Sequence, residues 1–333
     1  MTIIKAICGA LALIVCFTFA ASIPQAATAE EEAQPPDESG PYNIGYYHES
    51  FYIFPYGIYT AKIRYPAKRD GWRAPGDMSG GPYPGVAMAG GTFQSDWMLD
   101  WAPEHLTSHG YVTICFTPPC TLSTDTAQWA RGFNEALEQL KRANHSRFSP
   151  LKGVLDEESS GVLGYSMGGA GCIEASAINP EIDAIAALAP GADDGILAPF
   201  FESTVEACSN ITAPIQLQVG SNDGNVLPEW VGGYYNLIPD TTSKEYLVIN
   251  GANHFQFFDQ YAAEFFSFMT DLGMDNAAEI RIEEQHRIAR GYFTAWFNYF
   301  LKDLSGYETH IFGDRARADL DSSVLSSLQY NSP

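Results

Sequence analysis

Long hydrophobic runs are scarce in this chain. Beyond the first 21 residues no stretch approaches the roughly 20 apolar residues that cross a bilayer as a helix. Basic residues are scarce too. There are 18 Lys and Arg against 40 Asp and Glu in 333 residues, a net charge of −22. Such a surface repels nucleic acid and anionic lipid, so neither is expected as a partner. Cysteine is sparse, at six residues, and no two stand as Cys-x-x-Cys, which argues against a thiol-redox motif or a zinc ribbon. No internal repeat is visible, which excludes solenoids and propellers.

What is present begins with a secretory pattern. Lys5 is a positive n-region, Ala6 to Ala21 an apolar h-region, and Ala27-Thr28-Ala29 a small-residue cleavage site, so residues 1–29 read as a signal peptide. Cleavage predicts an exported protein with no stable membrane anchor. Residues 30–44 are acidic and Pro-rich and are expected to be a disordered leader. Four cysteines then remain, Cys115, Cys120, Cys172 and Cys208, and in an oxidising compartment they predict one or two disulfides.

Tyr46–Ile53 and Ile58–Tyr65 are aromatic and β-branched around Phe-Pro-Tyr-Gly, a hairpin signal. Apolar runs then alternate with amphipathic stretches, the pattern of an α/β fold whose mostly parallel central sheet is flanked by helices. The expected core strands are 85–89, 111–116, 161–164, 184–189, 215–219 and 245–249. The expected helices are 97–108, 126–143, 169–178 and 287–301. One catalytic domain is assigned to residues 45–313, and 314–333 to a loosely held tail.

The chemistry is concentrated in Gly164-Tyr165-Ser166-Met167-Gly168-Gly169. A serine between glycines, after a short apolar run and before a helical stretch, is the pattern of a nucleophile elbow. Its partners should follow in the order acid, then histidine. Asp223 lies just past the end of the strand 215–219, where loops of open α/β sheets carry chemistry. Asp193 and Asp194, after the preceding strand, are the rival acids. Of seven histidines only His254 follows both serine and acid on a loop after a strand. His286 and His310 lie in or after helical segments, where capping or solvated roles are expected.

These residues make up an acyl-transfer site that needs no metal or cofactor. His254 would take the Ser166 proton, and Asp223 would fix the imidazole tautomer. The oxyanion donors are expected from the amide of Met167 and from the loop Gly90-Gly91-Thr92-Phe93, at Thr92 or Gly91. Phe93 and Tyr165 are expected to wall the substrate cleft. The function that follows is a serine carboxylic-ester hydrolase acting through an acyl-enzyme. A serine peptidase or acyltransferase would use the same triad, and a non-catalytic binding module is the third reading.

The segments 89–111, Gly164–Gly171, Val219–Pro228 and Gly251–His254, with the closing helix from Gly291 to Lys302, resemble the cutinase-like polyester hydrolases, related at the level of fold to dienelactone hydrolases. The resemblance covers roughly residues 48–310. It implies an α/β-hydrolase without a large cap domain, the triad named above, and a small-molecule or polymeric ester as substrate. Members of that group typically carry a tryptophan shortly after the strand that follows the elbow helix. Here the stretch reads Pro190-Gly191-Ala192-Asp193-Asp194, so no aromatic clamp is expected from that position. Their C-terminal disulfide is missing, since no cysteine follows Cys208. Phe255–Gln285 is a longer segment rich in phenylalanine, expected to be either a helix packed into the core or an apolar wall or partial lid.

Overall fold

Strands that read as unbroken apolar runs, rather than as alternating ones, call for cover on both faces, and they receive it here. A computed structural model describes residues 34–193, 195 and 197–332. The expected signal peptide therefore lies outside the described residues. The hairpin forms as β1 (Asn43–Ile53) and β2 (Gly57–Ala67), followed by the short β3 (Gly71–Trp72). The doubly covered part follows as β4 (Tyr83–Ala89), α1 (Trp101–Ser108), β5 (Val112–Thr117), α2 (Ala127–His145), β6 (Leu155–Tyr165) and α3 (Met167–Ile178). It continues with β7 (Ala184–Leu188), α4 (Glu202–Cys208), β8 (Ile215–Gly220), α5 (Pro228–Leu237) and β9 (Lys244–Ile249). The chain closes with α6 (Gln260–Asp271), α7 (Ile282–Leu301), α8 (Glu308–Ile311), α9 (Asp314–Asp321) and β10 (Leu325–Asn331).

One sheet results, in the order β10-β9-β8-β7-β6-β4-β5-β2-β1-β3. The six strands from β9 to β5 run parallel, while the hairpin at one edge and β10 at the other are antiparallel. Helices α1 and α7 pack together along the sheet, and α2, α3 and α5 pack on other parts of it. Residues of β4, β5, β7, β8 and β9 are buried almost throughout.

One patch beneath α7 is polar. Gln218 donates to Gln216, and Gln216 donates to Glu245 at 2.6 Å, while both amides also reach α7 carbonyls. Full burial pushes the Glu245 carboxyl well above its ordinary range, against the Gln216 hydrogen bond that favours the charged form.

The structure corrects three expectations. From Gln34 onward the leader is docked rather than disordered. His105 meets Pro36 O at 2.8 Å, Arg287 pairs with Asp37 at 2.7 Å, and Arg290 donates to Asp37 O. These partners sit on α1 and α7, so the local composition of the leader could not announce them. The tail is not loose either. Its strand β10 pairs along β9, and Tyr292 of α7 donates to Asp319 of α9 at 2.9 Å. Finally, Cys115, Cys120, Cys172 and Cys208 are all free thiols. Cys115 and Cys172 belong to separate buried elements and point their sulfurs at the carbonyls of Asp96 and Gly169.

Removing β10 would expose the whole of β9 as an unpaired edge. Truncation after Gly313 is expected to lower the thermal midpoint by at least ~5 °C, read by circular dichroism. An unchanged midpoint would return the tail to the loose status its composition suggested.

Candidate active site

At Ser166 the chain passes from β6 to α3 within one residue, with φ at 55° and ψ at −120°. Backbone of this kind costs about 1–3 kcal/mol and persists only where its surroundings enforce it. The enforcement is close packing. A Cβ on Gly164 would lie 2.0 Å from Gly168 O, and one on Gly168 would lie 2.5 Å from Ala89 O. Only glycine fits at either place, and the hydroxyl of Ser166 is left at the mouth of a cavity of about 430 Å³.

The loops after β8 and β9 bring the other two groups to this mouth. His254 Nε2 stands 3.1 Å from Ser166 Oγ, and His254 Nδ1 stands 2.8 Å from Asp223 Oδ2. Asp223 is 1% exposed, and its second oxygen accepts the amides of Asn225 and Val226 at 2.9 and 2.7 Å. A carboxylate fixed from both sides leaves one rotamer open to the imidazole. Burial alone would lower the pKa of His254, but the charge and hydrogen bond of Asp223, with the charge of Asp275, outweigh it and raise the pKa above 6.5. A base of that kind can draw a proton from Oγ and hold it while charge develops.

The rival acids do not take part in this geometry. Asp193 instead accepts the Leu197 amide at 2.5 Å, closing a local turn. Asp194 lies outside the described residues. His286 is neither a cap nor solvated. It is buried, stacked on Trp101 at 4.1 Å, and its pKa falls to about 4 through burial.

Of the expected oxyanion donors, Met167 begins α3, where a first-turn amide has no partner within the helix. Thr92 borders the cavity, and its amide has no acceptor among the described residues. Gly91 lies against the nucleophile, where a Cβ would stand 2.9 Å from Ser166 Oγ, and its amide donates to the Gln94 side chain. Phe93 lines the cavity, half-exposed, at a positive φ of 65°. Tyr165 borders the cavity but is 0% exposed, and its hydroxyl donates to His254 O at 2.9 Å. It braces the base more than it walls the cleft.

Two contributors were not foreseen from sequence. Asp275 is buried beside the loops of Asp223 and His254 and accepts amides from both, Gly224 at 2.8 Å and Phe255 at 3.0 Å. Unforeseen aromatic walls reach the cavity from Phe200 and Phe201 before α4 and from Trp230 of α5, and they meet Phe255, Phe258 and Phe266 of the segment already read as a possible wall. Of the two expectations for 255–285, the wall is the one realised. Among the residues of α6 only Ala262 is buried, Phe266 and Met269 line the cavity, and Phe265 is 70% exposed.

A parallel sheet, a serine at the β6–α3 elbow, and an acid and a histidine after later strands define the class: this is an α/β-hydrolase. More narrowly, the chain belongs to the PET hydrolase-like family, whose model matches residues 70–324. It is 27% identical over 175 residues to cutinase est1 of Thermobifida alba, covering 52% of this chain and 54% of that protein. It is 26% identical over 255 residues to a cutinase of Thermobifida fusca, covering 74% and 75%. It is also 27% identical over 183 residues to the bis(hydroxyethyl) terephthalate hydrolase of Streptomyces coelicolor, covering 54% and 53%. The chain thus spans about half the length of the first and third of these relatives.

Because the elbow is held by backbone contacts, Gly168→Ala is expected to slow fluorophosphonate labelling of Ser166 about a hundredfold in a protein that still folds. Labelling at the wild-type rate would mean that the close packing does not govern the serine.

Proposed function

We propose that this protein is a secreted carboxylic-ester hydrolase that cleaves polyesters or their oligomers through an acyl-enzyme on Ser166. The observation that carries the reading is the hydrogen-bonded series Asp223–His254–Ser166 at the mouth of an apolar cavity. Secretion rests on the sequence pattern of residues 1–29. Among the described residues, no helix is long and apolar enough to cross a membrane.

The chemistry follows from the geometry. Ser166 Oγ attacks the ester carbonyl carbon as its proton passes to His254 Nε2. The carbonyl oxygen gains the negative charge and meets the amides of Met167 and Thr92. Such a donor contributes roughly 3–4 kcal/mol to the transition state. Collapse expels the alcohol, which takes the proton from His254 and leaves an acyl-serine. Water then attacks the acyl carbon, giving its proton to His254, and the acid departs as Ser166 recovers its hydrogen. Throughout, Asp223 holds the ring and offsets its positive charge.

The names of the relatives, cutinases and a terephthalate diester hydrolase, support an ester as substrate. The lining supports a bulky apolar acyl group, since Trp230, Phe200 and Phe258 present ring surface around the serine. An aromatic diacid ester therefore fits this reading despite the missing tryptophan after Pro190.

Ser166→Ala is expected to remove p-nitrophenyl ester hydrolysis by roughly a millionfold while leaving the fold intact. The wild type is expected to release aromatic diacid monoesters from a polyester film and to leave peptides uncut. A folded wild type without esterase activity, or one that cuts peptides instead, would overturn the proposal. The pH profile gives a further check. Activity requires neutral His254, whose pKa is raised, so kcat/KM should fall with decreasing pH through a midpoint above 6.5. A midpoint well below that value would mean that another group limits the reaction.

A further inference from the structure

We infer that Asp275 is a positioning residue of this site: it ties the acid loop to the base loop and adds a second negative charge that favours the imidazolium of His254. The inference rests on the hydrolase reading above and extends it to a residue in the segment between His254 and α7. Asp275 is 6% exposed, and its carboxylate joins two loops that come from different strands. Oδ1 accepts Gly224 N at 2.8 Å, one residue past Asp223, while Oδ2 accepts Phe255 N at 3.0 Å, one residue past His254. The amide of Asn276 adds a third donor at 2.9 Å.

The residues that follow repeat the arrangement. Asn276 O accepts from the Asn253 side chain at 2.8 Å, and Ala277 O accepts from Asn222 at 3.0 Å. The amide of Glu279 then donates to Gly251 O at 2.7 Å. Residues 275–279 therefore bind both loops along their length, and Asp275 is the one member that carries charge next to the histidine.

The electrostatics point the same way. The charged groups acting on His254 are Asp223, from the loop after β8, and Asp275. Tyr165, packed on the ring from the elbow strand at 5.0 Å, is kept neutral by burial. The pKa of Asp275 lies above the usual carboxylate value: burial, with the nearby Asp223 charge, outweighs its amide donors and His254, which favour the ionised form. When the proton leaves Ser166, the imidazolium thus forms in the field of two carboxylates. One touches Nδ1, and the other acts through space while it fixes the backbone on either side of the pair.

The test compares the mature wild type with Asp275→Asn, Asp275→Ala and Asp275→Glu by steady-state kinetics across pH. The ring of His254 is titrated in parallel by nuclear magnetic resonance in a Ser166→Ala background. Asp275→Asn keeps the shape and loses the charge. It is expected to lower kcat roughly tenfold or more with little change in KM, and to move both the acid limb and the His254 midpoint down by about half a pH unit or more. Asp275→Ala loses the tie as well and should fall further in kcat. Asp275→Glu keeps the charge and should hold the acid limb near the wild-type position even where kcat drops. A His254 midpoint in Asp275→Asn equal to that of the wild type overturns the inference, as does an unchanged kcat. If the Asn and Ala proteins do not fold, a wild-type His254 midpoint at or below 6.5 overturns it instead. An unlabelled Ser166 with a His254 midpoint that still depends on Asp275 would sink the hydrolase reading and leave this assignment standing.

Discussion

The chain reverses direction at Ser166 within a single residue, and it does so in a volume already filled by backbone. The strand β6, the first turn of α3 and the end of β4 approach so closely that a methyl group at Gly164 or Gly168 would lie on a carbonyl oxygen. This crowding makes the turn rigid, and the rigidity fixes where the Ser166 hydroxyl stands. Because the serine cannot relax toward solvent, the loops after β8 and β9 can be built to meet it. The parallel register β6-β7-β8-β9 sets how far apart those loops begin. Everything later in the chain serves that one fixed point.

The charge arrangement follows from the same fixed point. A buried histidine would ordinarily lose its proton affinity to desolvation, as His105 and His286 do, with pKa values lowered to about 3 and about 4. His254 is as deeply buried and moves the other way, because carboxylates supply what water would have supplied. The contrast in direction separates His254 from the other two more clearly than exposure does. All three are buried; only His254 has a carboxylate hydrogen-bonded to its ring, where His105 and His286 meet backbone carbonyls.

Much of this was legible in the linear sequence. The elbow, the order of serine, acid and histidine, and the parallel core could be read because each depends on local spacing: glycine two residues either side of the serine, and polar loops just past apolar strands. The parts that were not legible depend on contacts between distant segments. Residues 34–42 look disordered by composition, yet His105, Arg287 and Arg290 on two helices supply their partners. The tail looked polar and loose, yet pairing with β9 makes it a strand. Asp275 stands in a run of small and acidic residues with no pattern around it, and only the fold brings it to the loops of Asp223 and His254. The aromatic lining was missed for a similar reason. Phe200 and Trp230 reach the cavity from elements beyond the stretch after Pro190, where no local pattern marks them.

The segment from Phe255 to Glu279 carries both the apolar wall and the clasp on the two loops, and this joins two properties that evolution would otherwise tune separately. Its middle, α6, faces solvent on one side and the cavity on the other, so few core contacts constrain its side chains. Its two feet, Phe255 and residues 275–279, are fastened to the machinery itself. A new wall can therefore be installed only as a cassette with its feet retained. A graft that replaced the whole segment would remake the cavity wall and the clasp on the two loops in one stroke.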